Sequence, residues 1–275
     1  MNIDEVNRAL GTDFVGWNAF YVLPENLAPR LRMPQRTPLA AALNDFKKTR
    51  PPGMVYYHSP EGFFKRQYLG SVYSKDIQEY NATHGTRYGS FDSVHLSRRL
   101  PKGPALERSD WESFVRGNLN LLWVRADEGA RPVYQSFLKA KYGKTDVLNR
   151  NYGTSYPSFS DVPLMDEPPF EGLALSDWAA VISGWKDPDT EKEYRIPADQ
   201  LRVHSVEFLF RDYLAEKYGD IRRVNEKLGT AFRDFIDILP PQKDAHYLGF
   251  LDSRGALRRE FVTRNYKTVL DYLFF

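Results

Sequence analysis

The sequence predicts a mainly α-helical fold: an irregular array of helical repeats with long proline-rich loops and little or no β-structure. The first of three supporting observations is a recurring frame. In it, an asparagine is followed by three residues, a Gly-Thr pair, one residue and an aromatic side chain. The frame starts at four positions, Asn7, Asn81, Asn149 and Asn225. Four copies in one register are far beyond chance, so the repeat sets the fold class.

The second observation is a pair of segments that share one apolar spacing. Residues 133–142 and 209–218 both carry apolar side chains at i, i+1, i+4, i+5 and i+9, which is one face of a helix. The third observation is a Ser-Asp-Trp triplet that ends at Trp111 and again at Trp178. Ser or Asp before an apolar run is typical of a helix N-cap, so we predict that Asp110 and Asp177 begin helices.

These observations predict one repeating unit, which consists of a helix, a loop, a second helix, a tight turn, a short helix and an aromatic clasp. We expect a single repeat-built domain over residues 1–275, with repeat cores at 3–24, 63–101, 109–164 and 176–240. The first copy lacks the preceding helix, which indicates that the chain continues before Met1. A further helix is predicted over residues 38–48, from its apolar spacing.

Local signals predict where the helices of each unit end. Gly143 and Gly219 are expected to end the second helix, because glycine takes the left-handed conformation without a Cβ penalty. In the second copy Ser74 stands at that position. Thr145 or Asp220 is expected to cap the short helix. Apolar residues at every third position then predict an extended or single-turn clasp.

Composition limits the function. The net charge is +2, which is too balanced for a dedicated nucleic-acid binder. There is no cysteine, so disulfides, a cysteine zinc site and a thiol nucleophile are absent. The histidines show no metal-ligand spacing and there is no glycine-rich phosphate loop, so we predict no cofactor and no metal.

The recurring residues are interpreted as structural, because a single binding site needs one copy and not four. This group comprises Asn7, Asn81, Asn149, Asn225, Gly11, Gly85, Gly153, Gly229, Trp111 and Trp178. Trp123 and Trp185 lie in the irregular connections and do not match each other. A flat aromatic face suits a sugar ring, so these two tryptophans are the candidate ligand contacts.

Glycoside hydrolysis requires two carboxylates that flank the bond. The sequence offers many carboxylates, but most recur with the repeat or lie in loops and caps, and none forms a recognisable acid/base pair. We therefore predict no catalytic residue and a protein that is not an enzyme. The alternative is an active glycoside hydrolase with unrecognised carboxylates, or an accessory sugar-binding module.

Residues 137–164, FLKAKYGKTDVLNRNYGTSYPSFSDVPL, resemble a segment of family 42 glycoside hydrolases, the barrel-type β-galactosidases. In that family, a helix ending in Tyr-Gly leads to Leu-Asn, Gly-Thr and aromatic residues. The resemblance covers about thirty residues per copy. It does not include the two catalytic glutamates or the barrel strands of the family.

Residues 261–275, FVTRNYKTVLDYLFF, are similar to the stretch before a membrane span in maltose-type sugar ABC transporter permeases, with Asn265 and Tyr266 matching an Asn-Tyr pair. Residues 257–275 are thus expected to lead toward a membrane span outside the chain. This resemblance implies a non-catalytic, extracytoplasmic (periplasmic) domain of a carbohydrate permease. Its expected partners are an oligosaccharide, a solute-binding protein and a partner permease subunit. A generic protein-interaction scaffold is a third alternative.

Overall fold

A computed structural model describes residues 36–50, 59–169 and 171–241. The chain divides into two compact units, one formed by Met1–Ala41 with Pro241–Phe275 and the other by Ala42–Pro240. In the first unit the described residues are 36–41 and 241. Apart from the first turn of the first helix, the elements below belong to the second unit.

The fold is mostly helical, which confirms the predicted class. The α-helices are α1 Pro38–Lys48, α2 Pro60–Phe63, α3 Leu69–Val72, α4 Ile77–His84, α5 Ala105–Gly117, α6 Arg131–Tyr142, α7 Thr145–Tyr152, α8 Gly172–Ser183, α9 Val206–Tyr218 and α10 Ile221–Leu228. A π-helical segment, Phe64–Tyr68, joins α2 to α3. Single 3-10 turns are formed by Phe91–Ser93, Leu121–Trp123, Glu128–Ala130, Phe159–Asp161, Ala198–Gln200 and Phe235–Asp237.

Short strands occupy the connections that the sequence predicted to be irregular. They are β1 Val124–Ala126, β2 Trp185–Lys186, β3 Glu193–Tyr194 and β4 Leu201–Val203. Strands β2 and β3 form a hairpin. Strand β1 pairs with β4 in antiparallel register, Val124 opposite Val203, so equivalent connections of two successive units hydrogen-bond to each other.

The Ser-Asp-Trp triplets are not helix starts. Helix α5 begins at Ala105, after an N-cap at Pro104, and α8 begins at Gly172. Asp110 and Asp177 therefore lie within helices, where both are buried. The prediction of N-caps was wrong because these carboxylates accept hydrogen bonds from distant side chains, which local sequence cannot reveal.

The short helices α7 and α10 begin differently from each other. Asp220 caps α10, since its side chain accepts a 3.0 Å hydrogen bond from the backbone N–H of Arg223. Thr145 is the first helical residue of α7 and Lys144 occupies the cap position, so the predicted cap at Thr145 is wrong. Gly143 and Gly219 end the preceding helices as predicted.

The recurring asparagine makes the same three hydrogen bonds in every described copy. Asn149 donates to the carbonyl of Tyr156 at 2.9 Å, and its Oδ1 accepts from the Thr154 hydroxyl and from the Tyr156 N–H, each at 2.9 Å. Asn81 and Asn225 do the same with the residues five and seven positions later. We call this arrangement the asparagine bracket. It fixes the clasp to the short helix.

The clasps are single 3-10 turns, as the spacing predicted. The core of the second compact unit lies against the clasps and contains large buried aromatic rings. Trp111 is 1% exposed and Trp178 is fully buried. Tyr134 packs edge-on against Trp178 at 5.9 Å between ring centroids. Burial of such rings supplies much of the hydrophobic stabilisation.

Candidate functional site

Asp110 and Asp177 are equivalent buried carboxylates that accept hydrogen bonds from the preceding copy of the repeat. Asp177 accepts from the hydroxyls of Tyr142 and Tyr152, both at 2.7 Å, and from the Lys141 ammonium. Its side chain is fully buried. Donors on two helices thus converge on one carboxylate of a third.

Asp110 has two such partners where Asp177 has three, because Val72 stands at the position of Lys141. The Tyr73 hydroxyl donates to it at 2.8 Å, and Nε2 of His84 lies 2.9 Å away. His84 follows the bracket asparagine by three residues, as Tyr152 does in the next copy. The histidine therefore replaces a tyrosine.

Both ring nitrogens of His84 face oxygens that can only accept. Nδ1 lies 3.1 Å from the carbonyl oxygen of Tyr80, and Nε2 faces the Asp110 carboxylate. The ring is therefore held by a contact at each of its two nitrogens. The ring also stacks on Tyr80, with 3.9 Å between centroids. His84 thus takes the place beside Asp110 that Tyr152 has beside Asp177.

Asp110 and His84 line a cavity of about 270 Å³. Its walls come from α4, from the clasp of the second copy, from the start of α5 and from Ile236. We call it the α5 cavity. Its remaining lining residues are Phe64, Tyr80, Thr86, Tyr88, Ser93, Val94, His95, Ser97, Pro101, Pro104, Glu107 and Trp111.

A second carboxylate, Glu107, lines the same cavity one helical turn before Asp110. Residues at i and i+3 of a helix lie on one face, with Cβ atoms about 5–6 Å apart. Glu107 folds back over Gly103, because a Cβ at position 103 would lie 1.9 Å from Oε2 of Glu107. Gly103 is therefore required for the observed position of this carboxylate.

Burial and the negative charge of Asp110 act on Tyr80, which lines the cavity, and on Tyr73, which donates to Asp110. Burial raises the pKa of Tyr80, and the charges of Asp110, Tyr88 and Glu107 add to the effect. Burial likewise raises the pKa of Tyr73, and its hydrogen bond to Asp110 adds to it. Both hydroxyls are therefore neutral donors across the ordinary pH range.

His95, on the cavity wall, connects the site to a buried ionic cluster. Oε1 of Glu61 lies 3.0 Å from Nδ1 of His95 and 2.7 Å from the Lys65 ammonium, and Oε2 accepts from Arg211 at 2.9 Å. Burial alone raises the pKa of Glu61, but the His95 hydrogen bond and the charges of Arg211 and Lys65 outweigh it and lower this pKa to about 2. Glu61 is thus ionised and inaccessible to a ligand. Its role is to fix His95, and with it this wall of the α5 cavity, in position.

The chemistry that the α5 cavity can perform follows from its lining. Its volume of about 270 Å³ lies just below the roughly 300–1,000 Å³ that is usual for ligand pockets, so it has room for no more than one sugar ring. Tyr80 and Tyr88 offer apolar faces, and the carboxylates accept hydrogen bonds from sugar hydroxyls. Two carboxylates in one cavity are also the minimum for glycoside hydrolysis.

The predicted ligand contacts lie elsewhere. Trp123 ends a 3-10 turn before β1, and Trp185 begins β2, where its ring lies 5.4 Å from that of Phe137. Both are half-buried, and neither lines the α5 cavity. Asn7, Gly11 and residues 242–275 lie outside the described residues. Within the part that the structure describes, no helix is long and apolar enough to cross a membrane.

The sequence analysis missed Glu107, Tyr80 and His84. One signal was available: Glu107 precedes Asp110 by three residues, the spacing of two side chains on one helix face. A second was the histidine at the position that Tyr152 holds in the next copy. Neither signal shows that the clasp of the second copy and Ile236 close a cavity over them.

The fold and the cavity define a mainly α-helical repeat domain with an aromatic, carboxylate-bearing cavity. Residues 180–275 match the family model of glycoside hydrolase family 42, described as β-galactosidase. The match covers less than half of the chain, and it includes the fourth copy of the repeat. No curated protein matches the chain, and no solved structure does. This part of the chain is thus a family 42-like segment.

The prediction that the protein is not an enzyme is corrected by this match, which points to a glycoside hydrolase represented by part of a domain. The prediction rested on the lack of a recognisable acid/base pair in the sequence, whereas the match rests on the family pattern of residues 180–275.

Proposed function

We propose that this chain is a glycoside hydrolase-related domain and that the α5 cavity binds the galactose ring of a β-galactoside for hydrolysis. The observation that carries the proposal is the presence of Glu107 and Asp110 in one aromatic-walled cavity. The family 42 match over residues 180–275 supports the choice of substrate class.

The two carboxylates are given different roles by their surroundings. Asp110 is 7% exposed and accepts hydrogen bonds from Tyr73 and His84, which hold its carboxylate in place at the cavity wall. It would stabilise the positive charge that develops on the sugar ring. Glu107 is half-buried at the cavity wall, and it would exchange a proton with the glycosidic oxygen.

The test is the release of nitrophenol from an aryl β-galactoside by the wild-type protein and by Glu107→Gln. We expect the variant to lose about 100-fold or more in kcat, because general acid–base catalysis contributes that much. Glu226→Gln is the matched control, since Glu226 is exposed on α10, and it should keep full activity.

Asp110→Asn is the second variant, accompanied by a thermal melt because Asp110 is buried. A folded Asp110→Asn protein with unchanged activity would contradict the assigned role. The proposal would also fail if the wild type released no nitrophenol, or if Glu107→Gln kept its rate.

The ligand role of Trp123 and Trp185 and the permease setting stay predictions. Quenching of tryptophan fluorescence by a galactoside in the wild type but not in Trp123→Phe or Trp185→Phe would support the first. Membrane spans encoded beside this segment in the complete gene, together with a partner permease subunit and a solute-binding protein, would support the second. An adjacent barrel with paired glutamates would count against the permease.

A further inference from the structure

Three arginines lie side by side across strand β4. Arg202 of β4 is directly opposite Arg125 of β1, and on its other side it forms an antiparallel bridge with Arg99. Residues directly opposite in antiparallel pairs project from the same face, with Cβ atoms about 4.5–5.5 Å apart. The three side chains therefore start side by side from one face of the strands, and we call them the arginine row.

Like charges opposite each other destabilise a sheet, so the row requires anions. Asp127 supplies one: it binds Arg99 and lies 3.2 Å from Nε of Arg202. Arg125 is 6% exposed, and its guanidinium donates to carbonyl oxygens, that of Leu122 at 2.7 Å. Among the described residues, Asp127 is the carboxylate in direct contact with the row, and Glu167 acts on Arg125 without a direct contact. Three cations therefore face two carboxylates.

The excess positive charge contributes to the pKa shifts of neighbouring groups. His204 follows β4 directly, and its backbone N–H donates to the carbonyl of Trp123 at 2.8 Å. Burial lowers the pKa of His204 to about 4, and the charges of Arg125, Arg202, Arg98 and Arg50 contribute. Burial also lowers the pKa of Arg125, and Arg202 adds to that effect although Glu167 opposes it.

We propose that the arginine row is a binding site for an oxyanion: a sulfate, phosphate or carboxylate group. A guanidinium presents parallel N–H donors that match two oxygens of such a group. The side chains of Arg99 and Arg202 are 53% and 38% exposed, so an anion reaches them from solvent. Arg125 is already held in place by the backbone carbonyls. The site is separate from the α5 cavity and independent of the proposed hydrolysis.

A purely structural role is the alternative, in which the arginines exist to hold Asp127 at the sheet. That role explains Arg99 and Arg202, which both contact Asp127. Arg125 is held by the carbonyls of Leu122 and Val124, with Glu167 acting on it, and it adds positive charge beside Arg202. An oxyanion bound by the exposed Arg99 and Arg202 would lie next to this third charge.

The test is a calorimetric titration of the full chain with sodium sulfate, against sodium chloride at matched ionic strength. We expect wild-type binding of sulfate, weakened about tenfold in Arg202→Gln and in Arg99→Gln, because hydrogen bonds to charged groups contribute that much. Arg222→Gln is the control, since that side chain is 91% exposed and lies 4.0 Å from Asp220. Thermal melts establish that each variant is folded.

Asp127→Asn separates the two roles. It removes the resident carboxylate, so an anion site should bind sulfate more tightly, whereas a structural row would only lose stability. The titration is repeated with sulfated galactose and with galacturonate oligosaccharides. If either binds more tightly than inorganic sulfate, the oxyanion belongs to a saccharide. If they bind equally, the site takes a free ion. The proposal is overturned if the wild type does not bind sulfate above chloride, or if all arginine variants bind it equally.

Discussion

At the scale of single residues, the third and fourth copies of the repeat each keep a nearly or fully buried aspartate that is surrounded by donors, Asp110 and Asp177. Asp177 has no exposed surface and accepts from Lys141, Tyr142 and Tyr152. The penalty for desolvating a charge is several kcal/mol, and it is offset only where partners satisfy the carboxylate. The cation and the two hydroxyls provide this compensation.

Asp177→Asn should therefore destabilise the fold by about 3–5 kcal/mol, because it leaves the Lys141 charge without its partner and turns an acceptor toward a donor. Urea denaturation followed by circular dichroism measures the loss. Asp189→Asn is the control: Asp189 is exposed in the loop between β2 and β3, so it should change stability by less than about 0.5 kcal/mol. A loss of similar size in both variants would refute the compensation argument.

The residues of the asparagine bracket could be predicted from sequence, and those of the buried carboxylates could not. The bracket closes within seven residues, so its frame is visible as a spacing. Asp177 is reached by donors up to 36 residues earlier in the chain. No periodicity of the local sequence encodes that distance.

At the scale of elements, α2, the π-helical segment and α3 together correspond to α9. Both helices begin with a serine N-cap and a buried glutamate two residues later, at Ser59 and Glu61 and at Ser205 and Glu207. The run from Ser59 to Tyr73 is one residue longer than that from Ser205 to Tyr218. A π-helical turn accommodates an inserted residue without ending the helix, so the segment Phe64–Tyr68 absorbs the difference.

The turn after this helix stores strain that its counterparts avoid. Ser74 has φ 82°, in the region where Gly143 and Gly219 have φ 69° and 86°. The left-handed region costs a residue with a Cβ about 1–2 kcal/mol. Glycine removes this cost but also the hydrogen bond from the Asp76 N–H to the Ser74 hydroxyl, which is exposed.

Ser74→Gly should raise stability by about 1 kcal/mol, because relief of strain exceeds the loss of one exposed hydrogen bond. The melting temperature would report the gain, with Ser74→Ala as the control that loses the hydroxyl and keeps the Cβ. Equal melting temperatures for glycine and alanine variants would show that the turn is unstrained.

The helices and clasps could be predicted because their signals are local, as in the glycines that end α6 and α9. The strands could not. Strand β1 contains three residues, and what makes it a strand is its pairing with β4, some 77 positions away for Arg125 and Arg202. A run this short carries no periodicity, and the connection was therefore expected to be irregular.

At the scale of the second compact unit, a buried ionic cluster joins distant copies of the repeat. It comprises Glu61, Lys65, His95 and Arg211, and we call it the Glu61 cluster. Glu61 lies on α2, His95 follows the clasp of the second copy, and Arg211 lies on α9 of the fourth. Arg211 also donates to the carbonyl of Ile238 at 3.0 Å. The cluster thus fixes the wall of the α5 cavity that His95 and Ile236 form.

This cluster predicts a specific acid sensitivity. The pKa of Glu61 is lowered from an ordinary value of 4.5 to about 2. A lowered pKa contributes stability that is present above about pH 4.5 and is lost as the pH falls toward about 2. Glu61→Gln should therefore cost about 3–5 kcal/mol near pH 7, and its difference from the wild type should shrink below pH 4.5.

The free energy of unfolding, measured by urea titration from pH 7 to pH 2, tests this dependence. Glu226→Gln provides the exposed control and should follow the wild type throughout. A Glu61→Gln difference that stays constant across that range would show that the side chain acts through packing and not through its charge.

Closing a short loop costs little chain entropy, and the cost rises with the length enclosed. Each asparagine bracket encloses seven residues, whereas the contact between Glu61 and Arg211 encloses 150. Each asparagine bracket can therefore form early and independently of the others, whereas the Glu61 cluster is expected to form late in folding. The α5 cavity, whose wall depends on that cluster, is thus expected to be the final part of the molecule to assemble.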